Sequence, residues 1–111
     1  MEKKNLDWAN IGFSYVTTDY RYVSNYKDGK WDEGTLTEDP NVVINECAGI
    51  LQYCQECFEG LKAYTTEDGS IVTFRPDLNA ERMMDSCARL EMPQFPKDRW
   101  IDALDKVVKA N

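Results

Sequence analysis

The chain has 111 residues, 42% hydrophobic and 30% charged, which is the composition of about one globular domain and not of a disordered or fibrous protein. Twenty acidic and thirteen basic residues give a net charge of −7, which disfavours nucleic acid and anionic membranes as partners. Histidine is absent, which excludes Ser-His-Asp and Cys-His catalysis and the usual transition-metal sites.

The distribution of apolar residues predicts a soluble, cytoplasmic protein. No apolar run approaches the roughly 20 residues that span a bilayer, and the start, MEKKNLDWANIGFSY, has no signal-peptide core. The four cysteines are therefore expected to be reduced. Cys54 and Cys57 form a CxxC, but without a second pair or a histidine we expect no metal site, with zinc or a redox dithiol as minor alternatives.

The first half of the chain predicts a hairpin and then a helix. Residues rich in Tyr, Val and Thr predict strands over Thr17–Tyr26 and Lys30–Leu36, joined by the turn Lys27-Asp28-Gly29-Lys30. Apolar positions at helical spacing predict a short helix over Ala48–Phe58. Gly60 follows where a left-handed helix end is expected.

The second half predicts another hairpin and two helices. Two β-like runs, Leu61–Thr66 and Ile71–Arg75, flank an Asp-Gly turn. An apolar stripe predicts a helix from Pro76 to about Glu91, and a second one predicts a helix over Lys97–Lys109. The expected fold class is α+β, with two hairpins in one sheet and about three helices packed on it. Such a sheet needs more strands to close comfortably, which already suggests truncation.

The segment Leu51–Pro93, LQYCQECFEGLKAYTTEDGSIVTFRPDLNAERMMDSCARLEMP, closely resembles the branched-chain amino acid aminotransferases of the fold-type IV pyridoxal-phosphate class. The shared pattern is a tyrosine, F-E-G-x-K-A-Y, D-G-x-I-x-x-F-R-P-x-x-N-x-x-R-M and R-L-x-M-P. The flanks FSYVTTDYRYV and FPKDRWIDALDKVVKAN are similar to the family as well. Gln52 and Cys54 depart from the family pattern around the tyrosine, which leaves detail of the pocket open.

The resemblance implies an enzyme that transfers the amino group of leucine, isoleucine or valine to 2-oxoglutarate with pyridoxal 5′-phosphate, in a homodimer or larger homo-oligomer. In this family the lysine that bears the cofactor and the partner of its ring nitrogen lie in a large C-terminal domain. No lysine of this chain matches that position. Residues 1–111 are therefore expected to be a truncated N-terminal small domain that is inactive by itself.

Four residues match family positions that face the cofactor or the substrate. Arg82 matches the arginine that grips the cofactor phosphate, and a guanidinium suits this role because its charge is permanent and its planar fork fits two phosphate oxygens. Phe13, Tyr53 and Phe58 match aromatic residues around the branched side chain of the substrate. Taken without the resemblance, Arg82 is a surface cation and the aromatic residues are core.

No residue of the chain is assigned to catalysis. Glu59 is interpreted as a residue that caps or pairs at the surface, and Arg75 and Arg89 as structural. Two alternatives remain open: a D-amino acid aminotransferase or aminodeoxychorismate lyase relative, which shares the architecture, and a non-catalytic acidic binding module. An open reading frame that continues after Asn111 favours an enzyme, and a stop codon there favours the module.

Overall fold

The computed structural model describes residues 6–7 and 9–111, so the expected domain of residues 1–111 includes residues 1–5 and 8, which lie outside the described part. Within that part the chain forms antiparallel strand pairs and three helices, a mixed α+β structure as expected. In chain order the elements are β1 (Arg21–Val23), β2 (Tyr26–Lys27), β3 (Lys30–Trp31), β4 (Thr35–Thr37), α1 (Gly49–Tyr53), β5 (Ala63–Thr65), β6 (Ile71–Thr73), α2 (Pro76–Arg89) and α3 (Lys97–Ala110).

Strands β1 to β4 form one antiparallel hairpin, hairpin 1, which turns at Asp28-Gly29 as predicted. A bulge interrupts the predicted strands, and β1 begins at Arg21 and not at Thr17. Val23 faces Thr35 and Tyr26 faces Trp31, so residues 24–25 lie opposite residues 32–34. An extra residue on one strand increases the local twist and bends the hairpin.

Asp32 and Gly34 build this bulge. The Asp32 carboxylate accepts hydrogen bonds from the backbone N–H groups of Asn25 and Gly34, each at 3.0 Å, and from the Ser24 hydroxyl at 2.9 Å. Gly34 has a φ of +71°, and a Cβ at this position would lie 2.1 Å from the Tyr22 hydroxyl oxygen. The bulge therefore requires glycine for its backbone conformation and for the close approach of Tyr22.

Hairpin 1 is anchored to the linker before α3 through Trp31. The indole packs edge-on against Tyr26 and Phe95, with ring centroids 5.2 and 4.9 Å apart, and its N–H donates to the Gln94 carbonyl at 3.0 Å. Arg99 of α3 lies 5.0 Å above the Phe95 ring and donates to the Asp32 carbonyl. These contacts join residues distant in sequence and hold the bulge against α3.

The helices α2 and α3 begin at the predicted residues and end within two residues of the predicted ends. They pack on each other, and α3 also contacts β1. Within the described part the buried hydrophobic residues are Ala80 and Cys87, both on α2. The Asn111 side chain accepts from the Tyr20 N–H and donates to the Tyr20 carbonyl, which ties the end of α3 to the start of hairpin 1.

Strands β5 and β6 form hairpin 2, which lies where it was predicted but is not part of a larger sheet. The expectation of one sheet is wrong for the described residues, because each strand pair stands alone. Hairpin 1 rests on α3, whereas an open groove separates it from hairpin 2, so their edges do not meet. Most of hairpin 2 is exposed, including the apolar side chains of Tyr64, Ile71 and Val72, and so is Phe74, which directly follows β6.

The first helix is shorter than predicted. It covers Gly49–Tyr53, and not Ala48–Phe58, and it ends at Cys54, whose φ is +51°. Gly60 is therefore not the helix end that the sequence suggested. The physical reason is a missing partner: Ile50 and Leu51 are 40% and 58% exposed, so the apolar stripe buries too little surface to extend so short a helix.

Candidate functional site

Two motifs of the sequence, F-E-G-x-K-A-Y and F-R-P-x-x-N-x-x-R-M, meet at the carboxylate of Glu59. Asn79 and Arg82 lie three residues apart on α2, a spacing that places them on the same helix face. Glu59 lies in the segment that leads into β5 and accepts three hydrogen bonds from this face. Arg82 donates from Nε at 2.5 Å and from Nη2 at 2.7 Å, and Asn79 donates from Nδ2 at 2.8 Å.

The two partners of this ion pair differ in exposure. The Glu59 side chain is 7% exposed and the Arg82 side chain 63%. Hydrogen bonds from Arg82 hold the pKa of Glu59 below its usual range, and the same contacts raise the pKa of Arg82. Glu59 is thus ionised near neutral pH, and its contribution to stability is lost as the pH falls through its lowered pKa. The sequence interpretation of Glu59 as a pairing residue is correct, although its side chain is covered and not at the surface.

Arg82 keeps one edge of its guanidinium available. Glu59 occupies Nε and one proton of Nη2, and within residues 6–7 and 9–111 the Nη1 group donates no hydrogen bond. The Nη1–Nη2 edge can therefore donate two parallel hydrogen bonds to an anion. This geometry fits a phosphate group.

The three aromatic residues expected around the substrate are exposed. Phe13, Tyr53 and Phe58 have exposed fractions of 112%, 86% and 90%. Phe58 is next to Glu59 in the chain, whereas Phe13 and Tyr53 belong to other segments. Within the described part no ring contact or hydrogen bond joins any of the three to Arg82. None of the three is buried within the described part of the chain.

A separate open groove of about 900 Å³ runs between hairpin 1, the segment before β5 and the two long helices. Its walls are mainly apolar, with Trp31, Met83 and Leu104 among the lining residues. Glu59 borders this groove, but Arg82 and the three aromatic residues do not. The groove and the predicted cofactor and substrate residues are therefore distinct features.

The cysteines are free thiols in the structure, and two of them meet beside the groove. The Sγ atoms of Cys57 and Cys87 are 3.6 Å apart, and Cys57 Sγ lies 3.3 Å from the Met83 sulfur. Burial and the contact with Cys57 raise the pKa of the Cys87 thiol to about 11. Among the residues described, no three cysteine or carboxylate side chains are grouped as metal ligands.

The sequence interpretation gave Glu59 no role at the site and did not consider Asn79. Both lie in the motifs, and the three-residue spacing of Asn79 and Arg82 was a readable signal of a shared helix face. Neither acidic neighbour of Arg82 on the helix, Glu81 or Asp85, supplies the carboxylate that pairs with it. Glu81 pairs with Lys97 of α3, and the carboxylate on Arg82 comes from another segment.

Comparison with known proteins gives relatives over nearly the whole chain. A branched-chain-amino-acid aminotransferase of Haemophilus influenzae is 56% identical over 108 residues, and one of Helicobacter pylori is 44% identical over 108 residues. Each match covers 97% of this chain and 32% of the relative. The chain is related to the branched-chain aminotransferases. The resemblance seen in the motifs is thereby confirmed.

The other comparisons limit how far this relationship extends. A relative from Arabidopsis thaliana, named methionine aminotransferase BCAT4, is 42% identical over 96% of the chain. The chain spans about a third of the length of these aminotransferases. No protein-family model matches it. In the part of the chain that the structure describes, no helix is long and apolar enough to cross a membrane.

Proposed function

We propose that the chain is the N-terminal, small-domain part of a cytoplasmic fold-type IV branched-chain aminotransferase that works as a homo-oligomer. The observation that carries this proposal is the 56% identity to an enzyme of that name over 97% of the chain. The amino group of leucine, isoleucine or valine passes to 2-oxoglutarate in this proposal. Exposed apolar side chains on hairpin 2 and the open groove support the presence of further protein against them.

Pyridoxal 5′-phosphate is the cofactor in this proposal, and when bound it supplies the aldehyde and the electron-withdrawing ring that amino-group transfer requires. Arg82 binds its phosphate through the free guanidinium edge. Phe13, Tyr53 and Phe58 cover the aliphatic side chain of the substrate and exclude water from it. Their exposure supports this role, because an exposed aromatic ring has apolar surface to offer a ligand.

The activity is tested with the whole protein that contains the chain and with the 111-residue chain by itself. The whole protein should form glutamate from 2-oxoglutarate with leucine, isoleucine and valine, and the chain should not, since no lysine in it matches the cofactor-bearing position. Methionine is assayed in parallel because one relative is named for it. Activity of the chain alone, or none in the whole protein, would contradict the proposal.

The pocket wall is tested by a matched pair of substitutions. Phe58 and Phe74 are 90% and 84% exposed within this chain, so neither Phe58→Ala nor Phe74→Ala should disrupt the packing of residues 9–111. Phe58→Ala should raise the KM for leucine roughly tenfold, the size of effect expected from lost apolar contact, while Phe74→Ala should leave it unchanged. If both substitutions changed the KM for leucine equally, Phe58 would not be a residue of the substrate pocket.

A further inference from the structure

The contacts of Glu59 pose an electrostatic problem. A carboxylate that pairs with a phosphate-binding arginine cancels part of its positive charge and repels the phosphate, which weakens binding. An exposed ion pair also contributes little to folding. Yet Glu59 is covered and holds Arg82 by two hydrogen bonds, and Asn79 adds a third to the same carboxylate. The charge of Glu59 therefore does not explain why it pairs with a phosphate-binding arginine.

The hydrogen bonds from Glu59 have a second effect, because they fix the flexible side chain of Arg82 in one conformation. An arginine side chain loses rotamer entropy when it is immobilised, and prior immobilisation removes much of that cost from binding. Glu59 holds the Nε–Nη2 edge and directs the Nη1 edge outward. Asn79 also donates to the Gly60 carbonyl at 3.1 Å, so the carboxylate and the backbone after it are held together.

We propose that Glu59, held by Asn79, is a positioning residue that fixes the guanidinium of Arg82 so that its free edge meets a phosphate monoester. The proposal rests on the proposed function of Arg82. It also gives an unusual expectation for Glu59→Gln, which removes a negative charge beside the phosphate. Simple electrostatics predicts tighter phosphate binding by this variant, whereas positioning predicts weaker binding, because a glutamine amide cannot accept both hydrogen bonds from Arg82.

The measured quantity is the ratio of two dissociation constants in the apo form of the whole protein, that for pyridoxal divided by that for pyridoxal 5′-phosphate. Pyridoxal lacks only the phosphate, so this phosphate ratio reports what the phosphate contributes. A merely structural defect would weaken both ligands and leave the ratio unchanged. Arg82→Ala should lower the ratio by roughly ten- to a hundredfold, as expected for one or two charge-assisted hydrogen bonds.

Glu59→Gln should lower the phosphate ratio roughly tenfold, and Asn79→Ala, which changes no charge, should lower it by a smaller factor. In an Arg82→Ala background, Glu59→Gln should have no further effect. The matched control is Asp77→Asn. Asp77, on the same helix as Arg82, also accepts hydrogen bonds from the Nε and Nη2 groups of an arginine, Arg75, and this change should leave the ratio as it is.

The outcomes separate this inference from the function on which it rests. If Arg82→Ala leaves the phosphate ratio unchanged, the role of Arg82 and the positioning by Glu59 are both wrong. If Arg82→Ala lowers the ratio but Glu59→Gln raises it or leaves it unchanged, Arg82 binds phosphate and the positioning role is wrong. Equal weakening of pyridoxal and pyridoxal 5′-phosphate by Glu59→Gln would mark a purely structural residue and overturn the proposal.

Discussion

Hairpin 1 and hairpin 2 contain the same kinds of residues in very different surroundings. Each has an aromatic residue in or beside its second strand, a glycine with positive φ and an aspartate that accepts hydrogen bonds near a turn. In hairpin 1 these residues also contact the linker and α3, through Trp31, Phe95 and Arg99. In hairpin 2 the hydrogen bonds of Asp68 stay within residues 66–70.

The difference shows that turn chemistry and tertiary support are separate requirements. A turn sequence makes two strands meet, but a two-stranded hairpin in water is marginally stable unless one face packs on something else. Hairpin 1 has that support from α3, and hairpin 2 does not have it from the residues described. Matched substitutions in the two hairpins should therefore have unequal effects on unfolding.

The largest expected effect is that of Trp31→Ala. This change removes the ring contacts with Tyr26 and Phe95 and the hydrogen bond to Gln94, so it should lower the free energy of unfolding by about 2–4 kcal/mol. Phe74→Ala, directly after β6 of hairpin 2, is the control and should cost less than about 0.5 kcal/mol, because Phe74 is 84% exposed. Urea unfolding followed by circular dichroism measures both. Equal decreases in the free energy of unfolding would show that the contacts of Trp31 do not stabilise hairpin 1.

The glycine pair should give the next largest effect. Gly34 and Gly69 have φ values of +71° and +85°, so alanine at either position incurs the left-handed penalty of about 1–2 kcal/mol. Only at Gly34 does the new Cβ also meet Tyr22, at 2.1 Å, while at Gly69 no atom lies within 4 Å. Gly34→Ala should therefore cost about 1–3 kcal/mol more than Gly69→Ala in the same urea experiment. A smaller cost for Gly34→Ala would indicate that the bulge yields to the new methyl group.

How much of this fold the sequence could predict depends on whether the information is local. The α2 and α3 boundaries follow from Pro76, the apolar stripes and the stiff linker between the helices, and they agree with the structure within two residues. Both turns follow from Asp-Gly pairs. The end of α1 and the separation of the hairpins were predicted wrongly, because both depend on which surfaces find a partner, and residue spacing does not contain that information.

The residues of the candidate site also differ in whether the sequence could predict them. Arg82 could be selected from the motif it shares with a family, but its partner Glu59 lies 23 residues earlier in the chain. No periodicity predicts such a contact. The burial of the Glu59 side chain was equally unpredictable from the sequence, because it results from the packing of the segment before β5 on α2. The roles of Phe13, Tyr53 and Phe58 stay predictions.

The smallest expected difference between the hairpins concerns their two aspartates. Hydrogen bonds, chiefly from Asn25 and Thr66 respectively, hold the pKa values of Asp32 and Asp68 below their usual range. A carboxyl group whose pKa is lower in the folded state stabilises that state above its unfolded pKa, near 3.9, and loses this contribution as the pH falls. Acid should therefore weaken the bulge of hairpin 1 and the turn of hairpin 2. Asp32, however, joins opposite strands and the bulge, whereas Asp68 joins only its own turn. Asp32→Asn should lower the thermal unfolding midpoint at neutral pH, and this difference from the unmodified chain should shrink as the pH falls through the lowered pKa of Asp32. Asp68→Asn should leave the midpoint nearly unchanged and speed hydrogen exchange only at neighbouring amides such as that of Ser70. A larger loss of midpoint for Asp68→Asn than for Asp32→Asn would mean that hairpin 2 has tertiary support equal to that of hairpin 1.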